Sequence, residues 1–238
     1  MSANASPTLR LLSGGAAQGL VRALQPQLHQ DRGATLEGSF GAVGVMRERL
    51  LAGEPCDLII LTRALIGQLE QEGHVVPGSA VDLGAVRTGI AVRSGQPHPD
   101  ISDREALRRA FMAAPGIYAP DPQKATAGIH FMKVLKALGI DGTLASRLRL
   151  LPNGATAMAE LAKGVAPGLI GCTQVTEILY TPGVELAGFL PKEFELATVY
   201  TAAVCTKASD PALTREFIAM LAGPQAAALR AQGGFEAA

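Results

Sequence analysis

The sequence predicts an α/β fold, a largely parallel sheet flanked by helices and arranged as two lobes. Three observations predict it. Strand-like apolar runs alternate with helix-period segments along the chain. The run CDLIIL is continuously apolar, as a strand buried on both faces must be. The string LRLL occurs twice, each time before a small-residue loop and a helix, which reads as one supersecondary unit used in each lobe.

Taken in order, the first LRLL is a strand that breaks into SGGAAQG and a helix near Gln18 to Gln30, with Leu20, Val21, Leu24 and Leu28 on one face. ATLEGSF reads as a second strand, followed by the turn GAVG and a helix over Val45 to Leu51. CDLIIL leads into the helix RALIGQLEQEG, with Gly73 as its C-cap. VRTGIAVRSG is the next strand, and after it the local pattern restarts. DREALRRAFMA is a helix, GIYA a strand and PDPQKAT a loop. The spacing predicts a helix over Ala127 to Leu138 that ends at Gly139. The second LRLL precedes the loop PNGAT, the helix AMAELAKG, the strand GLIG and a turn at CTQ. GVELAGFL and the strand ATVYTAAVCT lead to two closing helices, PALTREFIAMLAG and PQAAALRAQ.

Composition narrows the function classes. With 48% hydrophobic and 18% charged residues, the 238-residue chain reads as a globular protein able to bury a core. Its 21 basic and 21 acidic residues balance, and there is no tryptophan, so neither nucleic acid nor an anionic membrane is an expected partner. Three widely spaced cysteines, Cys56, Cys172 and Cys205, read as reduced thiols. MSANASPT has neither a charged nor an apolar leader region, and no run reaches membrane-spanning length, so the expected location is the cytoplasm. SGGAAQG has neither the glycine spacing of a dinucleotide fingerprint nor the Gly-Lys pair of a P-loop. No metal-ligand constellation and no cofactor motif stands out, so neither a metal nor a cofactor is expected.

Several longer stretches carry a family resemblance. SFGAVGVMRERLLAGEPCDLII, APDPQKATAGIHFMKVLKALG, GVAPGLIG and GPQAAALRAQGGF resemble segments of the molybdate-binding protein family, the solute receptors of a bacterial ABC importer. The resemblance spans nearly the whole chain. It implies the type II periplasmic-binding-protein fold, two α/β lobes joined by two crossover strands with the ligand in the interlobe cleft. The implied lobes are 1–86 with 199–238 and 87–198, with crossovers near Val86 to Ala91 and Ala197 to Val204.

In that family an oxyanion is held by hydroxyls and backbone amides from several loops. Carried over by position, its first serine falls on Ala16, its second within Ala42 to Gly44, its backbone donors on Ala127 and Ala155, and its tyrosine on Gly171. Three hydroxyls are therefore missing, which argues against a small tetrahedral oxyanion and for a roomier site. The ligand-binding candidates are Ser13, Gly14, Gly15 and Gln18 in the first turn, Ser39 and Gly41 in the second, and Arg63 beyond the buried strand. In the other lobe they are Thr126, Ala127, Asn153, Ala155, Thr156, Thr173 and Gln174. Amides, hydroxyls and a cation suit a small organic anion with several carboxylates.

Two function classes follow. One is a binding module serving an ABC permease, which requires that an export signal once preceded this chain. The other is an enzyme: TQVTEILYTPGVEL is similar to divergent members of the fold such as aconitate isomerase, which moves a proton along an allylic system. For that chemistry the candidates are Lys124 as a stabilising cation and His130 or Cys172 as the base, with Glu177 and Tyr200 as weaker alternatives. The expected activity is isomerisation of a di- or tricarboxylate.

Overall fold

The computed structural model describes residues 6–238. The reading of the N-terminus as lacking a leader falls partly on the first five residues, which lie outside the described residues. In chain order the elements are β1 (Thr8–Gly14), α1 (Gln18–Arg32), β2 (Thr35–Gly41), α2 (Val43–Leu51), β3 (Leu58–Thr62) and α3 (Arg63–Gln71). Then come β4 (Val81–Arg93), α4 (Arg104–Ala113), β5 (Ile117–Pro120), α5 (Thr126–Ala137), α6 (Asp141–Leu144), β6 (Leu148–Leu151) and α7 (Gly154–Lys163). The chain closes with β7 (Ile170–Gln174), α8 (Val175–Tyr180), β8 (Val184–Phe189), β9 (Ala197–Val204), α9 (Pro211–Ala222) and α10 (Ala227–Gln232).

The chain divides into two compact units. The first takes the described residues up to Phe40, then Val45–Ala85 and Val199–Ala238; the second takes Gly41–Gly44 and Val86–Thr198. In the first unit the strand order is β2-β1-β3-β9. β1 runs parallel to β3 with Leu11 opposite Leu58, and β3 runs antiparallel to β9 with Leu58 opposite Val204. Leu58, Ile59, Ile60 and Leu61 are fully buried, so the continuous apolar run is a strand covered on both faces. Asp57, also buried, fixes its start by accepting hydrogen bonds from the Arg10 amide (2.7 Å) and from the amide and hydroxyl of Ser209 (2.6 and 2.8 Å).

In the second unit β5 lies parallel to β6 and to β7, while β4 lies antiparallel to β7 and β8. Ile90 packs with Leu107 and Phe111 of α4 and Phe131 of α5, whereas its neighbour Ala91 packs with Met158 and Leu161 of α7. Successive residues of β4 thus face opposite layers, as the two-residue period of a strand requires. Phe111 and Phe131 meet edge to face, 5.8 Å between centroids, which adds about 1 kcal/mol to their area burial. Asp103 caps α4 by accepting the Ala106 amide at 2.8 Å.

Four sequence readings are corrected. The sheet is mixed, because β4 and β9 make antiparallel pairs within a pattern that reads as parallel. β4 begins at Val81 rather than Val86, because Asp82 and Gly84, both residues that strands disfavour, interrupt its early signal. CTQ is the end of β7 and not a turn: Thr173 and Gln174 pair with Gly89 and Thr88. α7 begins at Gly154, three residues before the apolar face starts, because the Asn153 side chain accepts the Thr156 amide at 2.8 Å and caps it there.

Candidate functional site

The most chemically loaded group of the second unit sits where β7 ends. Thr173 is the last residue but one of the strand, Gln174 closes it and is the N-cap of α8, and Glu177 is the third residue of that helix. A glutamate at this position can reach back to the cap amide, and the Gln174 amide does bond to it. The Thr173 hydroxyl donates to Glu177 Oε2 at 2.6 Å, and the amides of Ala155 and Gly154, in the first turn of α7, donate to the same carboxyl group.

Gly154 makes this approach feasible. A Cβ there would lie 1.8 Å from Glu177 Oε2 and 2.1 Å from Thr173 Oγ1. Burial pushes the Glu177 carboxyl up to about 7, although the hydrogen bonds from Thr173, Ala155, Gln174 and Gly154 pull the other way. Its carboxyl is therefore held well above the ordinary carboxylate range.

Asn153, Ala155 and Thr156 thus form the start of α7, but their polarity is already engaged. Asn153 takes the Thr156 amide, and Glu177 takes the amides of Gly154 and Ala155. Thr173 and Gln174, both buried, belong to the same cluster. The hydroxyls of Thr88, Thr176 and Thr198 in this unit are buried with no hydrogen-bond partner among the described residues.

At the start of α5, Thr126 is half-buried and Ala127 buried, and the helix has neither a side-chain cap nor an acidic residue in its first turn. Asp121 Oδ1 accepts the Lys124 amide at 2.9 Å, and the Lys124 carbonyl accepts the Gly44 amide at 3.0 Å. A Cβ at Gly44 would lie 3.1 Å from that carbonyl oxygen, so the loop after Gly41 comes close at a position where glycine fits.

The remaining candidates of this unit fare differently. His130 Nε2 donates to the Phe194 carbonyl at 2.7 Å, which ties α5 to the turn before β9. Cys172 is fully buried in the apolar cluster beneath α4 and α5, and burial pushes its thiol up to about 12. A thiol held neutral in a core is a packing group, which removes the reason for reading Cys172 as a base. Gly171 corrects the expectation of extra room. A Cβ there would lie 2.5 Å from Met158 Cε and 2.8 Å from Leu161 Cδ2, so α7 already fills that space.

In the first unit β1 runs into a tight turn. Ser13 is fully buried and its hydroxyl donates to the Gly14 carbonyl at 2.9 Å. Gly14 and Gly15 are buried too, and Gln18 opens α1 with neither a side-chain cap nor an acidic first turn. Ser39, on β2, accepts from Arg49 Nη2 at 3.1 Å, and the same guanidinium is paired with Glu54. Arg63 is paired with Asp82, whose other partner is the Thr201 hydroxyl at 2.6 Å; these bonds hold the Asp82 carboxyl below its ordinary range. Tyr200 is buried on β9.

Glu177 is thus where the geometry concentrates titratable chemistry. The available sequence signal was the position of the glutamate, three residues past the end of a buried strand and hence able to cap its own helix. The partners at Gly154 and Ala155 come from tertiary packing and have no local signature. Among the described residues no group of three or more His, Cys, Asp or Glu side chains is placed to hold a metal ion.

With this geometry in place, comparison with known proteins gives a consistent answer. The model of the family described as bacterial extracellular solute-binding protein matches residues 9–236. An aconitate isomerase from Pseudomonas sp. is 27% identical over 233 residues, covering 95% of this chain and 87% of that one. The molybdate-binding protein ModA of Escherichia coli strain K12 is 24% identical over 230 residues, covering 92% and 86%. Among solved structures, the periplasmic molybdate-binding protein of Azotobacter vinelandii superposes with a TM-score of 0.79 at 20% identity, covering 97% of this chain and 99% of that one. The fold is that of the type II periplasmic binding proteins, and the chain belongs to the bacterial extracellular solute-binding protein family.

Proposed function

We propose that this member of the solute-binding family holds a small organic di- or tricarboxylate and interconverts its allylic isomers by a proton shift, as an aconitate isomerase does. The observation that carries the reading is Glu177, a buried carboxyl at about 7 among hydroxyl and amide donors. A general base works best when its pKa lies near the working pH. In its charged form Glu177 takes a proton from the CH₂ group next to the substrate's double bond. The electron pair spreads over the three-carbon unit and into a carboxylate, and the proton returns at the far carbon as the double bond moves one place. No electrons are gained or lost overall. The uncapped start of α5, at Thr126 and Ala127, offers amides to stabilise the charge that spreads into the carboxylate. Similarity to an aconitate isomerase over 95% of the chain supports the same class of substrate.

The second reading is a receptor that delivers an oxyanion to an ABC permease. Similarity to the molybdate-binding proteins favours it, while Ala16 and the stretch Ala42 to Gly44, where that family's serine donors fall, weigh against it. The isomerase reading goes with a cytoplasmic location and the receptor reading with export. A thermal-shift panel of molybdate, tungstate, sulfate and di- and tricarboxylates separates them. A carboxylate at a hundred times its Kd is expected to raise Tm by roughly 5–10 °C, and molybdate to leave it unchanged; the reverse pattern overturns the proposal. Proton NMR of cis- and trans-aconitate mixed with the protein then reads turnover. Glu177→Gln is expected to bind the carboxylate yet lower the rate at least about a hundredfold, and full turnover by this variant would remove Glu177 from the chemistry.

A further inference from the structure

We propose that Cys56 and Cys205 form an intramolecular disulfide when the chain meets a disulfide oxidant, and that this bridge is a redox-dependent staple of the first unit. Cys56 lies just before β3 and Cys205 just after β9, 149 residues apart in sequence. The antiparallel register that sets Leu58 opposite Val204 brings the two strand ends together, and the Cys205 amide donates to the Asp57 carbonyl at 2.9 Å. The sulfurs stand 3.5 Å apart, with Cys205 donating to Cys56 and Cys56 donating to the Leu58 carbonyl at 3.0 Å.

Backbone groups on both sides of the pair are already fixed. Asp57, between Cys56 and β3, accepts from Arg10 and from Ser209, so the segments after both cysteines are held in place while both are still thiols. Closing the bridge therefore asks for side-chain rotation and about 1.5 Å of sulfur movement, not for a new backbone path. Cys172, in the apolar core of the second unit, has no part in this pairing.

The chemistry needs a partner disulfide, and oxidised glutathione is sufficient. One cysteine thiolate attacks it, forming a mixed disulfide and releasing one glutathione thiol. The second cysteine attacks that mixed disulfide and releases the other. Two protein thiols are oxidised and one glutathione disulfide is reduced to two thiols. Both cysteines are buried, so in the folded protein the exchange waits for local opening, whereas during folding the thiols are accessible.

The consequence is that the same chain has two stabilities. Closing so long a loop restricts the unfolded chain strongly, and the expected gain is a Tm about 5–15 °C higher than that of the reduced protein. The test is to refold the full chain in a glutathione redox buffer, alkylate it under denaturing conditions and measure intact mass and peptides. The expected product has lost two hydrogens, carries one alkyl group, on Cys172, and yields a peptide pair linked through Cys56 and Cys205; dithiothreitol reverses the Tm gain. Three alkylated cysteines, or bridges that include Cys172, overturn the proposal. A Cys172→Ala variant that still gains stability on oxidation, beside a Cys205→Ala variant that does not, assigns the effect to this pair. The outcome does not depend on what the protein binds.

Discussion

The starts of α1 and α7 meet the same electrostatic demand in opposite ways. Each follows a strand through a short turn, and each directs the positive end of its peptide dipoles toward whatever lies before it. At α7 the chain brings its own anion. Asn153 caps one amide, Glu177 bonds two more, and Gly154 is small enough to let the carboxylate in. α1 has no acidic residue in its first turn and no side-chain cap, and Ser13 bonds to the adjacent Gly14 carbonyl. The difference teaches that two strand-turn-helix units of one fold need not serve one purpose. The α7 turn fixes a titratable group of the protein, and the α1 turn is the one whose own sequence provides no counter-charge.

The comparison can be broken most severely at Gly154. Gly154→Ala places a methyl group inside the contact distance of Glu177 and Thr173, and we expect a loss of about 3 kcal/mol or more in urea unfolding. Adding Glu177→Ala to it should return part of that loss, because the two residues share the contact. Glu177→Ala alone leaves the Gly154 and Ala155 amides without their carboxylate, at a cost of about 2 kcal/mol. Added formate should recover some of this in the variant and do nothing for the wild type; no recovery would mean that the turn does not need an anion.

The pH dependence sharpens the same point. The Glu177 carboxyl lies at about 7 when folded and at 4.5 in its ordinary state. Between those values the folded protein keeps the proton that the unfolded chain has released, so stability falls as pH rises. The contribution is fully present below 4.5 and lost through 7, an effect of at most about 3 kcal/mol. Denaturation midpoints measured from pH 4.5 to 8 should show this decline in the wild type and a flatter profile in Glu177→Gln. The smallest effect belongs to the other turn. Ser13→Ala removes the bond to the Gly14 carbonyl, costs about 1 kcal/mol and leaves the pH profile unchanged.

Much of the fold was legible because it rests on local signals. The buried run at Leu58–Leu61 and the helix ends at Gly73 and Gly139, which take positive φ of 79° and 67°, are each written within a few residues. The end of β7 was misread because threonine and glutamine resemble turn residues until β4 is known to pair with them. Gly171 was misread for a related reason: an absent side chain suggests space, but only the packing of Met158 and Leu161 tells which side of the strand it faces. Glu177 was legible as a residue but not in its role, because two of the amides that hold it, at Gly154 and Ala155, lie more than twenty positions earlier in the chain. Distance in sequence likewise made Cys56 and Cys205 look unrelated.

Asp57 also sets a timetable for synthesis. Its bonds to Ser209 span 152 positions, and the strand beside it waits for β9 to arrive from the far end of the second unit. A chain emerging from the ribosome can complete the segment Val86–Thr198 while β3 still lacks its last neighbour. The first unit begins first and finishes last. Its exposed β3 edge must be kept from other partners until roughly the final forty residues are made, which is where slow folding and aggregation are to be looked for.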